Sequence, residues 1–293
     1  MKQPDSLQRF MFEHAAVRGE IVHLDACWQA VLERRDYPPA LRTLLGELMA
    51  AAALLSATLK FSGSLIMQIQ GGGPVKLLVV ECSADLTMRA MAHWQGDLPD
   101  GDSLTALVGE GRFVITIDPK KGRQTYQGIV DLEGGSVAEV LENYMRRSEQ
   151  LETRLWLAAD AVGAAGLLLQ RMPDGKDEDA DAWNRAAHLG ETVTWQELLG
   201  LSARKIIHRL FHEEDIRLFD SAPVQFGCNC SRERVAATLR MLGHDEIKSI
   251  LQETGYVEVD CEFCNQHYVF DAVDAEQIFV ASPVVMATGQ TRH

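Results

Sequence analysis

The spacing of apolar positions predicts a long buried helix early in the chain. Between residues 41 and 59, Leu, Ala and Met fill most positions without an internal proline, and the segment follows Pro38 and Pro39. Apolar residues on all sides of a helix are typical of a helix inside a core. No apolar run in the chain reaches the roughly 18 consecutive residues of a membrane span, so we predict a core helix and no membrane segment.

Shorter segments of strand character follow the predicted helix, separated by turn residues. The predicted strands span residues 64–70, 75–81, 87–93, 113–118, 124–131, 153–159 and 166–171. Gly71-Gly72-Gly73-Pro74 and Pro119-Lys120-Lys121-Gly122 predict hairpin turns, and residues 136–147 predict an amphipathic helix. Antiparallel meanders with interspersed helices favour an α+β fold over a doubly wound sheet.

The pattern changes after Met172. A breaker at 173–176 and an acidic run at 177–181 precede a helix-like stretch that continues to about Phe226. Its short amphipathic pieces span residues 182–189, 195–199 and 203–211. Isolated helices this short are marginal in water, so we interpret them as a metastable helical linker docked on the first domain. An ordinary helical subdomain is the alternative.

Three domains are therefore expected: an α+β domain over 1–172, a linker over 173–226 and a small zinc-binding domain over 227–293. The N-terminus lacks the apolar segment of a secretory signal, which predicts a cytoplasmic protein. A formal net charge of −14 disfavours binding to nucleic acid, whose phosphates attract basic surfaces. Six cysteines in a reducing compartment are not expected to form structural disulfides.

Four of these cysteines form two close pairs, Cys228-Asn229-Cys230 and Cys261-Glu262-Phe263-Cys264. Two such pairs separated by a small folded unit are typical of a tetrahedral Zn²⁺ site, here with one ion per chain and no open coordination position. Four unligated thiols, a thioredoxin-like motif at Cys261, an iron–sulfur cluster and replacement of one cysteine by His267 remain alternatives.

The residues after Cys230 favour ionised sulfurs. Ser231 is placed to cap a helix that begins at Arg232, which would put the first pair near a positive helix end, and Arg232 and Arg234 add charge. A capped helix with solvated arginines is the simpler interpretation. The spacing of Cys261 and Cys264 suits disulfide closure better than that of Cys228 and Cys230, so we expect the second pair to oxidise first. Loss of the zinc ligands should then unfold a region of this size.

These motifs resemble a known family. Residues 228–234, Cys-Asn-Cys-Ser-Arg-Glu-Arg, followed by Cys261-Glu262-Phe263-Cys264, resemble the redox-regulated heat-shock holdases, bacterial cytosolic chaperones with masses near 33 kDa. The same resemblance extends to residues 12–13, 17–20, 57–61, 144–151 and 212–214. Val235 stands where some relatives carry a further cysteine.

The resemblance implies an ATP-independent chaperone that is inactive or weak while reduced and zinc-bound. Oxidation would form Cys228–Cys230 and Cys261–Cys264 disulfides and release zinc, and the linker would lose its order. The oxidised protein would dimerise and hold unfolding client proteins. No enzyme is expected. The alternative function is a zinc-ribbon-like interaction module with a static structural zinc, and a thiol redox enzyme is a weaker third hypothesis.

The remaining candidates favour plain structural roles. Cys27 and Cys82 stand alone and are predicted to be buried apolar residues. His208 and His212 have the spacing of a metal pair but lack a zinc-protease motif, so a partly exposed helix face is expected. Gly71-Gly72-Gly73-Pro74 lacks the Lys-Ser/Thr of a phosphate-binding loop.

Overall fold

The computed structural model describes residues 4–59, 62–99, 103–119, 124–173, 179 and 181–280. The predicted turn at 119–122, the breaker and acidic run at 173–181, and the last two residues of the motif at 57–61 lie wholly or largely outside the described residues. The chain divides into two compact units, Met1–Gly227 and Cys228–His293. The three-domain division proposed from the sequence stays a prediction.

The elements are numbered along the chain. The strands are β1 Ser6–Phe12, β2 Val17–Leu24, β3 Gly63–Gly71, β4 Val75–Ser83, β5 Thr87–Trp94, β6 Gly111–Pro119, β7 Tyr126–Val130, β8 Thr153–Ala159, β9 Ala164–Arg171, β10 Ile216–Leu218, β11 Ala222–Pro223, β12 Gln225–Phe226, β13 Val257–Asp260 and β14 His267–Phe270. The helices are α1 Ala26–Leu32, α2 Pro39–Thr58, α3 Leu104–Val108, α4 Val137–Arg147, α5 Ala182–Gly190, α6 Trp195–Gly200, α7 Ala203–Phe211, α8 Arg232–Leu242, α9 His244–Thr254 and α10 Ala272–Val280.

The first unit contains two sheets with α2 in contact with both. Sheet A has the order β10-β1-β2-β9-β8, with β11 also paired to β1, and sheet B has the order β12-β5-β4-β3-β6-β7. All these pairings are antiparallel except that of β12 with β5. The predicted α+β class is confirmed, and so is the turn at residues 71–74, which joins β3 to β4.

The helix α2 forms the centre of the first unit. It is long and apolar enough to cross a membrane by length and composition alone, but 72% of its most apolar window is buried inside the structure. Pro39 occupies its first turn, where a missing N–H costs no hydrogen bond. The core helix predicted from the sequence is therefore confirmed.

The helices α5, α6 and α7 cover the face of sheet A that is turned away from α2. Ile206, Leu210 and Phe211 of α7 are buried with Phe10 and Phe12 of β1 in one cluster. A capping box formed by Thr194 and Glu197 fixes the start of α6. These helices belong to the first compact unit, as a docked segment would.

The expectation that the chain stays helix-like to Phe226 is wrong for residues 216–226. This stretch forms β10, β11 and β12, which pair with β1 and β5. Two- and three-residue strands carry no periodic signal of their own. They form because the free backbone groups of two existing sheet edges offer them hydrogen-bond partners.

The second unit contains α8, α9, α10 and the hairpin of β13 and β14. Among its described residues, seven apolar side chains are buried and form a small core: Val235, Leu239, Ile247, Val257, Phe270, Ala275 and Ile278. The thirty residues between the cysteine pairs form two helices and a strand, α8, α9 and β13. All four paired cysteines belong to this unit.

Candidate metal centre

The first cysteine pair lies just before α8. Ser231 is the N-cap of this helix, and its hydroxyl accepts a hydrogen bond from the Arg234 N–H at 3.3 Å. The capped helix predicted from the sequence is confirmed. Cys228 and Cys230 thus precede a helix whose start is fixed, which limits where their sulfurs can lie.

The second cysteine pair forms the turn of the β13–β14 hairpin. Within the turn, the Cys261 N–H donates to the Gln266 carbonyl (3.0 Å), and the Asn265 N–H donates to the Cys261 carbonyl (2.7 Å). Asn265 has a φ of 58°, a left-handed conformation that Asn tolerates better than most residues. The turn therefore presents both sulfurs toward the same side.

The fold brings the two pairs together. All four sulfurs lie within 4.8 Å of one another, with 3.7 Å between the sulfurs of Cys228 and Cys261 and 3.3 Å between those of Cys230 and Cys264. A tetrahedral zinc site with Zn–S bonds of about 2.3 Å requires sulfurs about 3.8 Å apart. In spacing and in donor type, the four cysteines fit one soft divalent cation.

The chemistry of the thiols also fits a cation. Burial is the largest effect on Cys261 and Cys264 and raises the pKa of both thiols, and for Cys264 the neighbouring sulfurs raise it further. Four thiols this close resist ionising together because the negative charges of the resulting thiolates would repel one another. A dication among them reverses this preference, since a coordinated thiol loses its proton.

His267 is not placed among the four sulfurs. Its Nδ1 lies 2.7 Å from a carboxylate oxygen of Asp260, and its Nε2 lies 3.6 Å from one of Glu258. The hydrogen bond to Asp260 raises the pKa of the imidazole. Across the part of the chain that the structure describes, the four cysteines form the one group of three or more side chains placed to share a metal.

The expectation that Arg232 lends its charge to the sulfurs needs correction. Its guanidinium donates to the Asp274 carboxylate (2.6 Å) and to the Val269 carbonyl (2.8 Å), and it lies over the Phe270 ring at 4.2 Å. Arg232 therefore ties α8 to α10 and to β14. Arg234 is exposed, as the simpler interpretation expected.

The other two cysteines are separate from this cluster. Cys27 is 2% exposed and Cys82 is fully buried, and burial raises the pKa of both thiols, to about 12 for Cys82. Their predicted role as buried apolar residues is confirmed. His208 and His212 are both exposed, with ring centroids 6.0 Å apart, as an exposed helix face predicts.

Sequence reasoning missed one residue that contacts the cluster. The Tyr268 hydroxyl lies 3.2 Å from the Cys230 sulfur, and this hydrogen bond raises the pKa of the phenol to about 12. His267-Tyr268-Val269-Phe270 is rich in strand-forming residues, and the two-residue alternation of side chains along a strand was the available signal. It places Tyr268 and Phe270 on the inner face of the strand, but it does not identify which cysteine the tyrosine reaches.

Comparisons with known proteins agree with the cysteine pattern. A sequence model of the Hsp33 protein family matches residues 5–271. A 33 kDa chaperonin from Methylobacillus flagellatus is 55% identical over 295 residues, covering 100% of both chains. A 33 kDa chaperonin from Chromobacterium violaceum is 56% identical over 295 residues, covering 100% of this chain and 99% of the relative.

A solved structure shares the fold. The crystal structure of a 33 kDa chaperonin from Thermotoga maritima matches with a TM-score of 0.81, covering 94% of this chain and 98% of the other. The two sequences are 22% identical, so this match supports the fold and not the activity.

Proposed function

Because this chain belongs to the Hsp33 family, we propose that it is a redox-regulated, ATP-independent chaperone whose switch is the four-cysteine cluster. The observation that carries the proposal is the convergence of Cys228, Cys230, Cys261 and Cys264 within 4.8 Å. The relatives that match the whole chain are named chaperonins, which supports binding of unfolded proteins as the activity.

In the reduced protein, these four cysteines would hold one Zn²⁺ ion. The bound ion would supply a crosslink between the start of α8 and the β13–β14 turn. A core of seven buried apolar residues offers little stability of its own, so this crosslink would contribute much of the free energy of folding of the second unit. Four protein donors leave no position for a substrate, which supports a structural and not an enzymatic role.

Oxidation would convert the donors into disulfides. With hydrogen peroxide, two thiols and one H₂O₂ give one disulfide and two waters, so each pair of sulfurs loses two protons and two electrons to the oxidant. We propose Cys261–Cys264 and Cys228–Cys230 as the products, with the former made first. Two of the short sulfur–sulfur distances, Cys228–Cys261 and Cys230–Cys264, join different pairs, so peptide mapping of the disulfides is required.

A strap over Ala222–Gly227 connects the cluster to the first unit along the chain. The Gly227 N–H donates to the Met88 carbonyl (2.9 Å) and the Val224 N–H to the Asp5 carbonyl (2.8 Å), which anchors the strap to β5 and to the residue before β1. The Arg34 guanidinium lies over the Phe226 ring, 4.1 Å from its centroid. Because Cys228 follows directly, unfolding of the second unit would leave this segment held only by its contacts within the first unit.

The apolar face of sheet A under α5–α7 is the surface that we propose for client proteins. Phe10, Phe12 and Ile21 on this face are each no more than 3% exposed while the helices cover them. Release of the linker, proposed as residues 173–226, would expose this face together with the apolar sides of the helices. Exposed apolar area of this kind also favours self-association, which supports a dimer of the oxidised protein.

The protein would act in the bacterial cytoplasm, where thiols are kept reduced until oxidative stress. Unfolded client proteins would be its partners. A net charge of −14 is unfavourable for nucleic acid, and the mostly buried α2 gives no support for a membrane role.

The test measures zinc and chaperone activity together. Reduced, zinc-loaded protein is treated with peroxide or hypochlorite, and zinc release, disulfide pairing and suppression of client aggregation are followed in the same sample. The expected result is about one zinc released per chain, with protection appearing after oxidation and disappearing on reduction. Retained zinc without protection, at an oxidant dose that modifies accessible thiols, would instead indicate a static zinc site in an interaction module.

A further inference from the structure

The two cysteine pairs are held in the fold by different contacts. The C-x-x-C turn is closed by backbone hydrogen bonds, from the Cys261 N–H to the Gln266 carbonyl and from the Asn265 N–H to the Cys261 carbonyl. Cys230 of the C-x-C pair receives a side-chain donor, the Tyr268 hydroxyl, at 3.2 Å. A one-residue spacing leaves less chain to fold back onto its own sulfurs than the turn of the second pair does.

The position of Tyr268 is set by the hairpin. Tyr268 pairs with Val259 across the β13–β14 ladder, and both side chains pack against the small core of the second unit. The ring is half-buried, so its direction is set by packing, while its hydroxyl reaches the cluster. The tyrosine is thus held by one strand while it contacts a sulfur that precedes α8.

A hydrogen bond to a sulfur changes its chemistry. The donor withdraws electron density from the sulfur lone pair, so the sulfur attacks an oxidant more slowly. Partners of metal-bound side chains also keep their ligands oriented, and removing such a partner typically weakens metal binding by about tenfold or more.

We propose that Tyr268 is a positioning residue of the redox switch: its hydroxyl holds the Cys230 sulfur in place and slows the reaction of that sulfur with oxidants. This inference rests on the proposed function, because it assigns the residue that adjusts the same four-sulfur site. It makes the reactivity of Cys230 depend on a side chain of the β13–β14 hairpin.

The test compares Tyr268→Phe with Tyr256→Phe in the full-length, zinc-loaded protein. Both changes remove one hydroxyl and keep the ring, and Tyr256 is a 45% exposed residue of the same unit. Under limiting peroxide, trapping of free thiols and mass spectrometry give a rate for each cysteine. We expect Cys230 to oxidise about fivefold faster in Tyr268→Phe, the factor that one net hydrogen bond is worth. Tyr256→Phe should match the unchanged protein.

A spectroscopic readout separates this role from simple packing. In protein loaded with Co²⁺, the sulfur-to-metal charge-transfer band should shift to lower energy in Tyr268→Phe, because the sulfur becomes a better electron donor. The d–d bands, which report tetrahedral geometry, should stay in place. Equal Cys230 rates and equal charge-transfer bands in the two variants would overturn the proposal.

One measurement needs no variant, so it tests the hydrogen bond from Tyr268 to Cys230 even if Tyr268→Phe does not fold. In the unchanged protein loaded with ¹¹³Cd, an O–H···S bond to a metal-bound sulfur should give a scalar coupling between the cadmium and the Tyr268 hydroxyl proton. Absence of this coupling would overturn the proposal.

Failure of the oxidised unchanged protein to release zinc or protect clients would overturn the proposed function, while leaving the Cys230 rates interpretable.

Discussion

Glu20 lies on β2 with its carboxyl on the face of sheet A that packs against α2. It is 2% exposed, and no hydrogen-bond partner among the described residues reaches its buried Oε2. Burial raises the pKa of this carboxyl to about 7, although Arg18 and Arg9 act in the opposite direction. The two arginines flank it on neighbouring strand positions, so their charges partly offset the cost of ionising it.

This carboxyl predicts a pH dependence of stability. Its folded pKa lies above its ordinary value of 4.5, so between about pH 4.5 and pH 7 the folded state binds more protons than the unfolded state. Stability from this group is therefore greatest below that window and falls as the pH rises to about 7. Glu20→Gln, which mimics the protonated acid, should raise the free energy of unfolding at pH 8 by about 3 kcal/mol and change it little at pH 5.

The measurement is thermal and denaturant unfolding of both proteins across pH 5–8. Glu110→Gln is the matched control, because Glu110 is an exposed acid of the same unit, and its profile should follow that of the unchanged protein. If Glu20→Gln gave the same difference from the unchanged protein at every pH, the raised pKa of Glu20 would be wrong.

At the scale of elements, the contact between α5–α7 and sheet A decides whether the apolar face of the sheet is covered. An aromatic cluster anchors it: the Phe211 ring lies 5.2 Å from the Phe12 ring and 5.9 Å from the Phe10 ring. His23 of β2 adds a buried polar contact, with its Nε2 3.1 Å from the Leu198 carbonyl of α6. The ion pair of Arg154 and Glu191 adds little because both side chains are about half exposed.

Truncation of the aromatic anchor should loosen these helices. Phe211→Ala removes a 2% exposed ring, a change that typically costs about 3–5 kcal/mol. We expect faster amide hydrogen exchange across residues 182–211, with the centre of α2 still protected, and chaperone activity at a lower oxidant dose. Trp195→Ala is the control, since Trp195 on α6 is 60% exposed and its loss should leave exchange unchanged. Unchanged exchange in Phe211→Ala would mean that other contacts hold the helices.

At the scale of the whole molecule, two compact units of unequal core size share one chain. Among the described residues, the first unit buries a large apolar cluster around α2, whereas the second buries seven apolar side chains. Small cores of this kind usually need a metal or disulfides to remain folded. The proposed redox chemistry would therefore act in the unit that depends most on a bound metal.

Removal of the proposed zinc ion should affect the two units differently. Treatment of the reduced protein with a strong zinc chelator should abolish amide protection over residues 228–280, because the crosslink among the four sulfurs is lost. Amides at the centre of α2 should stay protected and serve as the internal control. Full protection of α8 and the β13–β14 hairpin after complete zinc removal would show that the metal is not needed for folding of this unit.

Local patterns determined much of what the sequence predicted correctly. The continuous apolar run of α2, the alternation in β3 to β6 and the cap at Ser231 each act within a few residues, so they are readable without knowing the fold. The cysteine pairs belong to this class too, because each pair is set by a turn of two to four residues. Their spacing was sufficient to predict that four sulfurs meet.

Contacts between distant residues were decided by the tertiary structure alone. Strands β10 to β12 form because β1 and β5 would otherwise leave one edge of each sheet unpaired. Arg232 pairs with Asp274 because the fold of the second unit brings α10 beside α8. The hydroxyl of Tyr268 reaches Cys230, 38 residues earlier, because hairpin and helix meet at the cluster. The sequence alone thus determined that four cysteines form a candidate metal site. The tertiary structure decided which side chains contact those cysteines. A side chain's contacts depend on distant segments, which its local pattern does not encode.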